Sequence, residues 1–461
     1  MKKTVLFTMM LASGCSLSPV LQTPSINTPP TWRNTPEAAN KANMPANDGR
    51  WWHEFGSREI PLLLAKTEVD NPDLQAALAR LEQSKASAHI ASAPLWPEIT
   101  ANGNSSRNFA SHSKQSTTQN SYRGGFQAAY EVDLFGKNHD AERAALWQSK
   151  ASEYDSEAIR LALNAQTAEA YFNLLAFNER VRIAEENLNN ARDVLRILRI
   201  RKESGSLSAL EVAQQENFVS NSKASLLALQ QQQENVRNAL ALLLGSPASI
   251  FELQYKTEKL QDLTPPTVPT TMPAEWLCRR PDIAQAEAAL QAANFDIGVA
   301  RAAFFPSLTL DASTALVANP ASAPAATISS LAASIALPLF THGRIDAGIE
   351  KATARQKELA AQYRKTILTA YSETENALMA VKTQKLREES LNEAVKAAQT
   401  AYNASHIRFE AGAIDGITLL DAQRSLLQAK DAQIEARAQR LAASVDLFRA
   451  MGGGWKKTTT P

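Results

Sequence analysis

The chain is one unit written twice. From Pro72 to Pro97 is 25 residues, as it is from Pro281 to Pro306, and eight of the 26 positions in these two windows are identical. Farther along, Ile200–Gly205 (IRKESG) recurs as Ile407–Gly412 (IRFEAG). The offset stays at 207–209 residues along the body of the chain, which indicates a tandem duplication. Any fold must therefore accommodate two copies of the same unit.

Each half contains long stretches without glycine or proline, at 137–204 and 206–244 and again at 349–411 and 417–451. A helix of 60 residues is about 90 Å long, which is too long for a globular core. Apolar or small residues in these stretches recur at steps of four and three, and this spacing predicts coiled-coil packing. Gly205 and Gly412 supply tight turns, so each half should end in an antiparallel helical hairpin. The predicted seam residues are Ala184, Leu188, Ala191, Leu195, Leu198, Leu226, Leu229, Val236, Leu240, Leu243, Val395, Ala398, Tyr402, Ser405, Phe409, Ile434, Ala438, Leu441, Val445 and Phe448.

Between the helices, apolar residues alternate with a period of two, which predicts strands. The clearest run, Tyr122–Leu134, should pair with a strand from Pro97 to about Phe109 through a polar loop at 110–121. Leu308–Leu316 and Leu331–Leu337 alternate in the second half. Each strand has about the 9–11 residues that cross a bilayer when tilted. The alternative is a pair of amphipathic hairpins on a soluble protein.

The N-terminus indicates the compartment. Two lysines precede a short apolar run, which ends in Ala12-Ser13-Gly14-Cys15. This pattern is typical of a secretory signal, and the cysteine makes it resemble a bacterial lipoprotein signal that is cleaved before an acylated Cys15. Ser16 in place of aspartate favours the outer membrane. An ordinary signal with a chance cysteine is the alternative. No later apolar run reaches the roughly 18 residues of a transmembrane helix.

These patterns divide the chain into six parts. Residues 1–14 form a signal peptide, and 15–60 form a lipid-anchored, extended N-terminal tether. Repeat 1 covers 61–250, with a hairpin at about 97–135 and a helical tip near 205. A linker, 251–276, leads to repeat 2 at 277–455, with a hairpin at about 306–340 and a tip near 412, and 456–461 form a tail. The predicted fold is mainly α with a transmembrane β part.

Four strands in one chain cannot close a barrel. Open sheet edges do not face lipid, because each unpaired backbone group there costs several kcal/mol. Several chains must therefore pool their hairpins, giving eight strands from two chains or twelve from three. An eight-stranded barrel fills with its own side chains, whereas a larger one leaves a lumen. We therefore predict a homotrimer with a twelve-stranded barrel, continued by a tube of helices in the periplasm.

Composition excludes several functions. Lys and Arg number 48 against 47 Asp and Glu, so there is no positive charge excess for binding nucleic acid. The sequence has no nucleophile elbow, phosphate loop or metal-ligand spacing, and its six histidines are isolated. We therefore expect no enzyme activity, no metal and no cofactor other than the covalent lipid on Cys15.

The chain resembles the lipoprotein branch of the TolC-like outer-membrane efflux channels. The resemblance covers essentially the whole mature chain and implies a trimeric channel with an equatorial belt. It also implies a periplasmic adaptor and an inner-membrane efflux transporter as partners. The motifs that carry it are Gly14–Leu17, Trp51–Phe55, Asn71–Leu74, Val132–Lys137, Arg279–Ile283, Leu337–Phe340, Gly343–Arg344 and Leu419–Arg424.

In such channels the tunnel narrows at the periplasmic helix tips, and Gly412–Arg424 matches that region. The resemblance places Asp421 and Ile417 at the constriction, with Arg408 as a latch partner. Three symmetry-related Asp421 carboxylates would form a cation-attracting ring. Asp415 matches a gate residue but lies in the turn, where it could equally cap a helix. Asp421 could instead be an ordinary solvated residue.

Two further features accompany the predicted gate. Phe409 stands where a tyrosine is common, which removes any bond through a hydroxyl. Arg192, Arg196 and Arg199 form a basic stripe near the first tip, either a contact for the adaptor or a solvated helix face.

The sequence thus predicts a passive outer-membrane exit duct of a tripartite efflux pump that exports drugs, toxic compounds or metal ions. The two alternatives are a trimeric structural or adhesive surface lipoprotein and an exit duct for secreted polypeptides.

Overall fold

The computed structural model describes residues 16–22, 24, 31–34, 51–112, 115–205, 207–266, 279–319 and 323–455. The signal peptide, Cys15 and the tail lie outside the described residues. The first half contains α1 (Ile60–Asp70), α2 (Pro72–Ser92), β1 (Glu98–His112), β2 (Gln115–Val132), α3 (Lys137–Glu203) and α4 (Ala209–Leu243). The second half contains α5 (Pro281–Ala302), β3 (Ser307–Asn319), β4 (Ala323–Ala336), α6 (Arg344–Glu410) and α7 (Gly416–Ala450). Short 3-10 helices lie at Trp51–Phe55, Ala93–Leu95, Ala248–Ile250 and Leu260–Asp262.

The duplication is visible in the element lengths. The long helices α3 and α6 both have 67 residues, and α4 and α7 both have 35. The first residues of α3 and α6, Lys137 and Arg344, are 207 positions apart, the same offset that the sequence repeats show. Glycines at positive φ, Gly136 at 72° and Gly343 at 74°, directly precede these helices and allow the backbone to turn out of the strand.

The chain divides into two compact units. One contains the described residues of 1–26, 79–154 and 284–366, and therefore the whole sheet. The other contains those of 27–78, 155–283 and 367–461, and therefore both helical hairpin tips. None of the described helices is both long enough and apolar enough to span a membrane.

The four strands form one antiparallel sheet in the order β1-β2-β3-β4. β1 and β2 pair continuously, from Glu98 opposite Ala129 to His112 opposite Gln115. The expected polar loop at 110–121 is therefore wrong, since 115–121 belong to β2. Backbone hydrogen bonds extend a hairpin wherever two strands face each other, even where the side chains are Ser, Thr and Gln. Within the described residues, β1 and β4 each have one strand neighbour and are the edges of the sheet.

The sheet has one mainly apolar and one mainly polar face, because directly paired residues share a face and successive residues alternate. Arg107 is an exception on the apolar face, and Ile328 is one on the polar face. Most apolar side chains are strongly exposed in the single chain, as shown by Phe126 at 62%, Ile335 at 74% and Leu331 at 85%. The apolar face contains Ile99, Ala101, Phe109, Tyr122, Phe126, Ala128, Tyr130, Val132, Leu308, Leu310, Ala312, Leu316, Leu331, Ala333 and Ile335. The polar face contains Glu98, Thr100, Asn102, Asn104, Ser106, Asn108, Gln127, Glu131, Thr309, Asp311, Ser313, Ser330 and Ser334.

The predicted coiled-coil seams form much of the helical core. Five residues of α3 are at most 8% exposed, namely Ala184, Leu188, Ala191, Leu195 and Leu198. The predicted seam residues of α7 are also buried, namely Ile434, Ala438, Leu441, Val445 and Phe448. On α4, Leu226 and Leu240 are buried, whereas Leu229 and Val236 are partly buried. Trp51 packs into the same core, with its ring stacked 5.6 Å from that of Phe448.

The two repeats close their last helices in the same way. Asn71 Nδ2 donates to the carbonyl of Leu243 at 2.8 Å, and Arg280 Nη1 donates to the carbonyl of Ala450 at 2.9 Å. These carbonyls end α4 and α7, where helical partners are lacking. The two side chains therefore satisfy the same orphan acceptor in both halves, although one is an amide and the other a guanidinium.

Candidate functional site

The second helical tip holds the residues predicted to form the gate. Gly412 turns the chain at φ 73°, and Asp415 follows as the N-cap of α7. Its Oδ1 accepts from Thr418 N at 2.9 Å and from Thr418 Oγ1 at 2.6 Å. These two hydrogen bonds lower the pKa of the Asp415 carboxyl. In the single chain, Asp415 therefore has the capping role that the sequence left open.

Asp421 and Ile417 point away from their own chain. The Asp421 side chain is 69% exposed, and Ile417 is 41% exposed. The cation beside Asp421 is Arg424, one helical turn away, with Nη1 3.8 Å from Oδ1. Both predicted constriction residues are therefore free to meet a neighbouring copy of the chain.

Within the single chain, Arg201 ties the two tips together. Its guanidinium lies 4.8 Å from the ring centre of Phe409, and it donates to the carbonyls of Phe409 and Glu410 at 3.4 Å. Arg408 is exposed at the end of α6, and no ion pair joins it to Asp421 among the described residues. The two arginines stand at equivalent positions of the repeat, 207 residues apart. Sequence reasoning missed Arg201 although the repeat marked it.

Phe409 lies inside the tip. It is 3% exposed and belongs to the apolar cluster that includes Leu198 and Leu419. Its ring therefore packs in the core of its own chain, where a tyrosine hydroxyl would need a buried partner.

The basic stripe Arg192, Arg196 and Arg199 is exposed on α3. Each guanidinium has a local partner, namely Asn189 at 3.4 Å, Asp193 at 3.1 Å and Glu216 at 2.8 Å. Exposed pairs of this kind contribute at most about 1 kcal/mol. The stripe can therefore exchange these partners for others at little cost.

Two carboxylates, the buried Glu59 and the half-buried Glu258, hold the segment after α4. Glu59, 2% exposed, accepts from the backbone N–H groups of Gln254 and Tyr255 at 2.9 and 2.7 Å. Glu258 accepts from Ser57 Oγ at 2.6 Å and from the Tyr171 hydroxyl at 2.5 Å. Burial, followed by the hydrogen bond to Glu258 and the charges of Glu258 and Glu59, raises the pKa of Tyr171. No sequence pattern marks this network, since its partners lie about 90 to 200 residues apart.

Glu169 on α3 has a pKa raised to about 7, chiefly by burial and then by the Asp446 carboxylate, while Arg449 partly offsets both. The unfolded chain ionises this group near 4.5. Ionised Glu169 therefore costs stability: the cost is absent below pH 4.5, grows as the pH rises toward 7, and is complete above it.

We expect Glu169→Gln to raise the unfolding midpoint at about pH 8 and to leave it unchanged at about pH 4, with a gain of about 1 to 2 kcal/mol after allowance for solvent screening. Thermal unfolding followed by circular dichroism measures this. Glu82→Gln, at an exposed position of α2, should change neither midpoint. Equal midpoint shifts for Glu169→Gln at both pH values would contradict the assignment.

Among the described residues, no group of three or more His, Cys, Asp or Glu side chains is placed to hold a metal ion. The functional surfaces of the single chain are thus the two faces of the sheet and the two helical tips. Long helical hairpins joined to a sheet with one apolar and one polar face define a membrane channel subunit.

Comparison with known proteins supports the assignment as a membrane channel subunit. The family model for outer membrane efflux proteins matches residues 63–246 and 272–453. The pyoverdine export outer membrane protein OpmQ of Pseudomonas aeruginosa is 40% identical over 97% of this chain and 95% of its own. The toluene efflux pump outer membrane protein TtgC of Pseudomonas putida is 31% identical over 98% and 95%. The Campylobacter jejuni CmeC outer membrane channel is similar in structure, with a TM-score of 0.87, 25% identity and coverage of 97% and 96%.

The chain therefore belongs to the outer membrane efflux protein family, and the resemblance to TolC-like channels is confirmed. It is an efflux channel of the outer membrane that extends into the periplasm. The predicted fold class, mainly helical with a β-sheet of four strands per chain, is confirmed as well.

Proposed function

We propose that three copies of this chain form a passive exit duct, the outer-membrane segment of a tripartite efflux pump. The observation that carries the proposal is the open sheet, in which β1 and β4 each have one strand neighbour among the described residues. A sheet with an apolar face enters lipid only when its edges are paired. Copies of the chain supply that pairing, β4 of one against β1 of the next.

Three copies give twelve strands. With the apolar face toward lipid, the polar face lines the lumen. Its side chains are mostly hydroxyls and amides, and a barrel of eight strands would leave these no room for water. The homotrimer therefore accounts for the polarity of this face, which would otherwise be buried.

The duct works with two further proteins, a periplasmic adaptor and an inner-membrane transporter that supplies the energy. Arg192, Arg196 and Arg199 are the proposed adaptor contact at the first tip. Their exposure and their weak local pairs support this role, because a carboxylate on a partner can replace those pairs. The chain itself performs no chemistry, and a covalent lipid on Cys15 attaches it to the membrane.

The cargo is a class of small molecules, namely organic compounds or metal ions. The relatives differ in cargo by name, since one exports pyoverdine and another toluene. The hydroxyls and amides of the polar face suit a general aqueous path. Choice of cargo then belongs to the transporter.

Single-channel recording tests the duct. Purified protein in a planar bilayer should give discrete, uniform conductance steps. A structural or adhesive lipoprotein would give none, and their absence would overturn the proposal.

The gate is tested in the same recordings. Asp421→Ala should raise the resting conductance severalfold, because it removes three carboxylates from the constriction and frees Arg424. Asp193→Ala is the matched control, since Asp193 is also exposed and also pairs with an arginine three residues later. Equal conductance in the parent and Asp421→Ala would reject the gate.

A further inference from the structure

The first described residues of the chain, 16–19, contact side chains of two helices. Ser16 and its neighbours cross the first turn of α3 and the last turns of α5. Ser16 Oγ donates to the Asp140 carboxylate, 2.8 Å from Oδ1 and 2.9 Å from Oδ2. Both α3 and α5 join directly to the central strands of the sheet, α3 after β2 and α5 before β3.

Asp140 is an uncommon anchor point. It is 0% exposed, and its cation neighbour is Arg143, with Nη1 3.6 Å from Oδ1. A buried carboxylate needs hydrogen bonds to offset its lost hydration. Ser16 supplies them from outside the helix, and the positive end of α3 favours the charge as well.

The other side chains of the site donate hydrogen bonds to the backbone of the segment. Asn294 Nδ2 donates to the carbonyl of Pro19 at 2.7 Å, and Arg301 Nη1 donates to the carbonyl of Leu17 at 3.1 Å. Gln356 Nε2 holds Asn294 in place by donating to its Oδ1 at 2.9 Å. Two donors, of which Asn294 is held in place by Gln356, and one acceptor therefore suit an extended peptide with a small hydroxyl side chain at its start.

The site also needs the space left by a glycine. A Cβ on Gly298 of α5 would lie 2.1 Å from Asp140 Oδ2 and 2.9 Å from the backbone N of Ser18. Any side chain there would push the carboxylate and the peptide apart. Gly298 is thus part of the site, although glycine in a helix costs about 1 kcal/mol relative to alanine.

We propose that Asp140, Asn294, Gly298 and Arg301 form a binding site for the chain's own processed N-terminus. The site holds the anchored end at the bases of β2 and β3. A lipid on Cys15 would then be tethered to the docked segment, since Cys15 directly precedes Ser16 in the chain. This part rests on the proposed acylation of Cys15, whereas the docking of residues 16–19 does not.

The test uses the full-length chain with a nitroxide probe at Val20, which is 90% exposed. Val20→Cys is made in a Cys278→Ser background, and the continuous-wave spectrum reports the mobility of the segment. We expect a spectrum of restricted mobility in the parent, because the backbone next to the probe is docked. Asp140→Ala and Gly298→Ala should release the segment and shorten the probe's correlation time severalfold. Ser16→Ala, which leaves the helices untouched, should shift the spectrum in the same direction.

Gly348→Ala is the matched control. It also places alanine at a helical glycine, but its Cβ would meet no atom within 4 Å. Its spectrum should equal that of the parent. Spectra of Asp140→Ala, Gly298→Ala and Ser16→Ala that stay as immobilised as the parent's would overturn the docking site.

The number of labels per chain, measured by mass spectrometry, tests the acylation of Cys15 independently of the docking. Acylated Cys15 cannot react, so one label shows that it is blocked. Two labels would refute the lipid anchor and leave the docking result to stand on the spectra alone.

Discussion

Gly125→Val should abolish the membrane-inserted channel. Gly125 lies in β2 opposite Ala315 of β3, and the two backbones are in close contact. A Cβ at this position would lie 2.2 Å from the carbonyl oxygen of Thr314 and 2.6 Å from the Cα of Ala315. Both are backbone atoms of a paired strand, so neither can yield without separating β2 from β3. We expect the SDS-resistant oligomer to be almost completely lost from outer-membrane fractions. Electrophoresis of unheated samples in SDS measures this loss.

The neighbouring glycine is the control. Gly124 lies one residue earlier and on the apolar face, and its Cβ would meet no atom within 4 Å. Valine suits a strand that faces lipid, so Gly124→Val should assemble like the parent. If both variants assemble equally, the close pairing of β2 with β3 is not needed for the channel.

The second large effect is expected at Arg280, which is 7% exposed. Its guanidinium donates to both Asp282 oxygens at 3.0 and 2.7 Å, to Glu373 at 2.7 Å and to the carbonyl of Ala450 at 2.9 Å. Arg280→Ala leaves two carboxylates without their cation and leaves the carbonyl at the end of α7 only the Thr374 hydroxyl, 3.5 Å away. Breaking a fully buried pair costs about 3 to 5 kcal/mol. Because the Asp282 and Glu373 side chains are 34% and 33% exposed, we expect a loss at the lower end of that range, about 3 kcal/mol.

Chemical denaturation followed by helical circular dichroism measures this loss. Arg182→Ala is the matched control, because Arg182 also bridges two carboxylates, Glu179 and Glu186, but its side chain is 50% exposed. Exposed pairs contribute about 1 kcal/mol or less. Equal losses in the two variants would show that burial of Arg280 adds nothing.

Most of the helical architecture could be predicted from the sequence, because it depends on local signals. The absence of glycine and proline predicts the helices, and the four–three spacing predicts which side faces the seam, as the burial of Leu188 and Leu198 shows. The duplication doubled each signal. Pro97 and Pro306 correctly marked the starts of β1 and β3. The end of the first hairpin was less predictable, since Thr117 and Ser121 pair through the backbone and show no apolar alternation.

The contacts at the tips and in the buried polar network were the least predictable from the sequence. A cap such as Asp415 contacts a residue only three positions away. Capping could therefore be predicted from the sequence, as one of two roles, the other being the gate. Arg201 contacts residues about 208 positions away, and Glu59 contacts a backbone 195 positions away. Such partners depend on the completed fold. The sequence cannot rank Arg201 above Arg408, because the duplication placed the same residue at both positions.

The proposed channel requires β4 of one chain to pair with β1 of the next until three chains close the barrel. Disulfide trapping in the membrane detects this pairing. Cysteines are scanned along the polar face of β1 and of β4 in a Cys278→Ser background, and each double variant is oxidised in the membrane. We predict a ladder of one, two and three linked chains that ends at three, with no links in either single variant. A ladder that ends at two or continues beyond three, or no links for any pair in the scan, would contradict the account.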